Sequence, residues 1–143
     1  MTIEDIIDLV RAMDAVVVLQ PQPGDGSPEV AWGDVFFYYS PDGVVPKTQP
    51  FATIVTKDYP GDSASRLDRP GAFRLNIAAG PAHTGSTSPE ARDDTVITHP
   101  VYGRQGWLAI ANPGRHTAAV AQDLLRSAHR RAHDQFTRRK KNP

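Results

Sequence analysis

The chain contains no cysteine among its 143 residues. That excludes a disulfide framework, thiolate metal sites, iron–sulfur clusters and thiol catalysis. Long apolar runs are also missing: Ala15–Leu19 is five residues, against the ~20 that a helix needs to span a bilayer. The first ten residues hold three acids and no Lys or Arg, so no cleavable export signal is legible. A cytoplasmic location without a membrane partner is therefore the expectation. Net charge is absent too, since 16 basic residues balance 16 acidic ones. At this length one domain over 1–143 buries roughly two-thirds of its unfolded surface, so it needs no covalent or metal staple.

The neutral total conceals a division. Residues 1–114 carry 8 Lys and Arg against 14 Asp and Glu, net −6; residues 115–143 carry 8 against 2, net +6. Prolines are segregated as well: apart from Pro143, all lie between Pro21 and Pro113. Because proline breaks helices, this predicts a helix at each end of a loop-rich, strand-bearing middle. At the start, Ile3, Ile6, Ile7, Val10 and Met13 recur at helical spacing, with Thr2 and Asp5 as a weaker form of the capping box. Ile3, Ile7 and Val10 are expected to be buried. At the end, Ala118, Ala121, Leu125, Ala128, Ala132 and Phe136 form one stripe of a helix from about His116 to Arg138. Between them, strands are expected at Ala15–Leu19, Val30–Trp32, Val35–Tyr39, Phe51–Val55, Phe73–Ile77 and Trp107–Ala111. Gly33-Asp34 suits a tight hairpin turn. The fold class is α+β: an N-terminal helix, an antiparallel sheet of about five strands and a C-terminal helix packed on it. Residues 80–94 lack apolar periodicity and read as a long irregular loop, a lid or a disordered segment. Residues 138–143 read as a basic tail.

Several motifs carry a resemblance. Gly24-Asp25-Gly26-Ser27-Pro28-Glu29, Ala31-Trp32-Gly33-Asp34, Phe36-Phe37-Tyr38-Tyr39, Pro50–Tyr59, Ser65–Gly71, His99–Gly103, Trp107 and Asn112-Pro113 together resemble a bacterial domain of unknown function, the 6194 family. More distantly, the helix–sheet–helix order is similar to the MmcQ/YjbR-type fold, discussed as a DNA-binding platform. Neither resemblance implies an established activity. After Asn76 this chain departs from the family pattern, with Gly80–Gly85 where a short aromatic-containing helical stretch is usual.

Chemistry concentrates in two places. Lys57, Asp58, Tyr59, Arg66, Asp68 and Arg69 follow a core strand directly. Lys57 and Arg66 suit an anion clamp, because a guanidinium offers a planar fork to carboxylate or phosphate, with Asp58 or Asp68 orienting them. The competing reading is an ion-paired surface loop that pins the chain. His99 and Tyr102 form the second place: His99 as general acid or base, Tyr102 as donor, and Asn76 facing the same cavity. Against this, His99 would bond a backbone carbonyl and shape the turn at Pro100. His129 and His133 share a helix face, but Arg-Arg-Ala between them repels a dication, so no metal and no cofactor is expected. Of the aromatic run, Phe36 and Tyr38 should share one sheet face, and Phe37 and Tyr39 the other.

The reading favoured is a small-molecule or anion-binding domain using loop 57–69 beside a His99/Tyr102 cluster. One alternative is an enzyme with His99 as acid or base. Another is weak nucleic-acid binding by the C-terminal helix through Arg126, Arg130, Arg138 and Arg139. The acidic body disfavours the latter, so nucleic acid is not the expected partner. The sequence leaves the oligomeric state open.

Overall fold

The computed structural model describes residues 1–83, 85 and 92–141. Its first helix, α1, spans Ile3–Arg11, and the Thr2 hydroxyl and Asp5 carboxylate cap it reciprocally. Ile6, Ile7 and Val10 are buried on its inner face. Ile3 is only half-buried at the edge of the core, contrary to the expectation, because it sits in the first turn.

Six strands follow: β1 Val16–Leu19, β2 Val35–Tyr39, β3 Ala52–Val55, β4 Arg74–Ala78, β5 Val96–Thr98 and β6 Trp107–Ala111. They form one antiparallel sheet in the order β1-β2-β3-β4-β6-β5. The count exceeds the expected five by β5, whose three residues are too short to display alternation. The Val30–Trp32 segment is no strand. Glu29–Ala31 is a 3-10 turn that begins after Pro28, and Gly33, at φ +88°, donates its amide to the Pro21 carbonyl. Gly33-Asp34 is therefore a corner leading into β2, not a hairpin turn.

The second helix, α2, spans Ala118–Lys141. It begins where it does because the Asp94 carboxylate accepts from the Gly114, His116 and Thr117 amides and from the Thr117 hydroxyl. Its last turn is Arg138–Lys141, so most of the expected tail is helical; residues 142–143 lie outside the described ones. So do 84 and 86–91, which make up much of the expected irregular loop.

Both helices pack on one face of the sheet. Val35, Phe37, Ala52, Ile54, Leu75, Ile77, Leu108 and Ile110 meet Ile6, Val10, Ala121, Leu124, Leu125 and Ala128 in one core. Each large aliphatic side chain fully withdrawn from water there contributes roughly 1.5–3 kcal/mol. Ala121 and Leu125 are fully buried, as their stripe requires. The alternate residues Phe36, Tyr38, Thr53, Arg74, Asn76 and Ala109 fall on the opposite face. There Arg74, Asn76 and Ala109 are nonetheless buried.

Candidate functional site

That second face is closed over Arg74 by the segment after β3. The Arg74 guanidinium bonds Asp62 twice, at 2.8 and 2.6 Å, and the Ser65 hydroxyl at 3.2 Å. Its Nε donates to the Asn76 side-chain oxygen at 2.8 Å, and the Asn76 amide in turn donates to the Thr53 hydroxyl. Burial raises the affinity of Asp62 for a proton, but the hydrogen bonds and charge of Arg74 outweigh it. The carboxyl ends below its ordinary range.

His99 adjoins this centre. Its Nδ1 accepts from the Val101 and Tyr102 amides, both at 3.0 Å. Nε2 lies 3.3 Å from an Arg74 nitrogen. His99 thus shapes the turn after Pro100, but by accepting from backbone amides and not by donating to a carbonyl. Burial, and then the Arg74 charge, lower its pKa to about 4, with Asp62 pulling the other way. The Tyr102 ring lies tilted against it, centroids 5.1 Å apart, but it is half-exposed.

The remaining sequence-predicted residues fall into separate networks. Lys57 bonds the Asp34 carboxylate at 3.0 Å and the Trp32 carbonyl at 2.9 Å. Thr56 and Tyr59 bond the same buried carboxylate, and burial together with Asp34 pushes the Tyr59 phenol up. Asp58 and Asp68 do not orient Lys57 or Arg66. They brace the loop, the Asp58 amide donating to Asp68 and the Leu67 amide to Asp58. Arg69 is paired with Asp93. Arg66 is exposed, and its side chain forms no hydrogen bond among the described residues. Of the predicted set, only Asn76 and His99 join the Arg74 centre, while Lys57, Arg66 and Tyr102 do not converge.

A different concavity holds unpaired charge. Between the segment before β3 and the outer half of α2 lies a cleft of about 500 Å³, walled by Lys47, Gln49, Gln105, Arg131, Gln135 and Arg139 over a floor of Trp107, Ala78 and Ala128. Among the described residues no carboxylate lines it. Arg131 donates to the Ala78 carbonyl at 3.1 Å, and among the described residues Lys47 and Arg139 have no partner. Arg131, Gln135 and Arg139 lie at i, i+4 and i+8, so one edge of α2 delivers all three. That spacing was legible in the sequence; its meeting with Lys47, Gln49 and Gln105 was not.

His129 and His133 pack edge-on against Tyr39, at 5.4 and 5.5 Å. His129 Nε2 bonds the Asp14 carbonyl. Among the described residues no three His, Asp or Glu side chains converge as metal ligands, and no helix is long and apolar enough to cross a membrane.

The family model for the family of unknown function DUF6194 matches residues 1–141. The chain belongs to DUF6194. No curated protein and no solved structure matches it. Within this DUF6194 chain two arrangements thus stand out: a closed, paired polar centre around Arg74, and an open cleft whose cations lack counter-charges among the described residues.

Proposed function

We propose that this DUF6194 domain binds a small anionic molecule, and that the cleft between Lys47 and Arg131/Arg139 is its seat. The observation that carries this reading is the gathering of Lys47, Arg131 and Arg139 around one cleft that, among the described residues, no carboxylate lines. Loop 57–69 supports the reading less, because Lys57 and Arg69 are already ion-paired. The three glutamines add neutral donors and acceptors that fix orientation, as small-molecule sites commonly do. A cytoplasmic location is part of this proposal. The likeness to the MmcQ/YjbR-type fold and a bacterial source rest on the sequence resemblance alone.

An enzyme built on His99 has weaker support. With Nδ1 engaged by two amides and Nε2 against the Arg74 guanidinium, neither ring nitrogen is free to take a proton from a substrate. Nucleic-acid binding gains exposed Arg126 and Arg130, but Asp123 pairs with Arg126 on the same helix.

Calorimetric titration with pyrophosphate and citrate tests the proposal. Hydrogen bonds to a charged group are worth roughly 1.5–3 kcal/mol each. Arg131→Gln with Arg139→Gln should therefore weaken binding tenfold or more, while Arg66→Gln and His99→Gln leave it unchanged. Equal affinity in the cleft double variant would refute the assignment.

A further inference from the structure

The cleft does not end at Arg139. A second hollow of about 630 Å³ adjoins it, sharing Tyr39, Lys47, Thr48 and Arg139. Its character differs. Pro41, Val44, Val45, Pro46 and Phe136 line it, with Lys140 Nζ 5.8 Å from the Phe136 ring centroid, and Val44 and Val45 are 64% and 41% exposed. Its one acid among the described residues, Asp42, is turned into its own loop, accepting from the Ser40 hydroxyl at 2.7 Å and the Val44 amide at 3.0 Å. At the waist between the hollows, Tyr39 is held edge-on by His129, His133 and Phe136. Its phenol has no hydrogen-bond partner among the described residues.

Resting on the anion-binding reading above, we infer that the ligand is an amphipathic organic anion. Its charged head sits at the waist on Lys47, Arg139 and the Tyr39 hydroxyl. Its apolar tail lies over Val44, Val45 and Pro46 against Phe136. Size supports this: hollows of several hundred Å³ match organic ligands, and an inorganic ion would leave most of the space to water. The distribution of charge supports it too: Lys47, Arg131 and Arg139 line the first hollow and the waist, whereas the second holds exposed Val44 and Val45 beside a single further cation, Lys140, whose Nζ lies over the Phe136 ring. The occupant is a single dispersed molecule with a phosphate or carboxylate head.

The test is a homologous series below its micelle concentrations: inorganic phosphate, then butyl, hexyl and octyl phosphate, with octanoate and uncharged octanol alongside. Each methylene that enters the apolar hollow should tighten binding by up to about fourfold. The gain should flatten in Val44→Ser/Val45→Ser, whose side chains are already exposed and whose fold should be intact by circular dichroism. Lys47→Gln/Arg139→Gln should weaken every charged member alike. Comparable binding of octyl phosphate and octanoate would place recognition in the charge; preference for one names the head group. If phosphate and pyrophosphate bind in the cleft but chain length has no effect, this inference fails and the anion-binding reading stands. If uncharged octanol binds as tightly as octyl phosphate while no anion depends on Lys47 and Arg139, both fail. Sedimentation with phosphatidylglycerol vesicles, without affinity for dispersed alkyl phosphates, would overturn the single-molecule occupant.

Discussion

His99 Nε2 faces an Arg74 guanidinium nitrogen at 3.3 Å, and a guanidinium can only donate. Protonating His99 would add a second charge beside Arg74 and break the Nδ1 bonds to Val101 and Tyr102. Its folded pKa of about 4 lies below the ordinary 6.5, so between these values the unfolded chain takes up a proton that the folded chain refuses. Stability from this source is complete above about pH 6.5, falls as pH drops toward 4, and is gone below. The span is worth at most roughly 3 kcal/mol. Urea unfolding at pH 4.5 and 7 should show this slope in the natural chain and less of it in His99→Gln. A His99 ring that titrates near 6.5 by NMR would contradict the assignment.

Arg74 is buried with its counter-ion, and removing only one partner strands the other. Asp62→Ala should cost about 3–5 kcal/mol, the usual penalty for an orphaned buried charge. Arg74→Met with Asp62→Leu should cost less than that single change, since no bare charge remains. Denaturant midpoints for the three chains decide it; a loss under about 1 kcal/mol in Asp62→Ala would mean that water already reaches the guanidinium.

Gly80 holds Arg131 in place. At φ +98° it adopts a conformation that L side chains rarely take, and a Cβ there would lie 2.8 Å from the Arg131 Nε. Gly80→Ala should displace that guanidinium and weaken pyrophosphate binding several-fold. In an Arg131→Gln background the same change should have little further effect on binding. Calorimetry on the four-member cycle measures the coupling.

Asp94 acts as the starting clamp of α2. The Thr117 hydroxyl foremost, then the Gly114, His116 and Thr117 amides, hold its carboxyl well below the ordinary 3.8. This support is present above pH 3.8 and is lost as pH falls below it. Asp94→Asn should lower Tm by several degrees and remove part of the acid sensitivity, while Asp94→Ala should lower it further. Thermal melts at pH 7 and pH 3 give both readings.

Much of the architecture was open to inspection in the chain itself. Apolar residues at helical spacing after Thr2 announced α1, and Phe37 and Tyr39 divide from Phe36 and Tyr38 as alternation demands. The polar centre was not, for a physical reason. Arg74 and Asn76 alternate with Phe73, Leu75 and Ile77, a pattern that ordinarily means one wet face. The cover that makes it dry comes from Asp62 and Ser65, in a segment with no apolar period to betray its path. Val30–Trp32 misled because a short apolar run does not distinguish a strand from a 3-10 turn.

The strand order carries a consequence for how the molecule assembles. β1 to β4 form a meander that can pair as it emerges, but β6 lies between β4 and the earlier strand β5. Until residue 111 has left the ribosome, β4 is a bare edge with its outward amides and carbonyls unpaired. The late hairpin must then dock sideways, bringing Ala111 to Arg74 across 37 positions of chain, a closure that slows folding. His99 arrives with that hairpin, so Arg74 has Asp62, Ser65 and Asn76 as earlier partners and meets the imidazole only when the sheet is sealed.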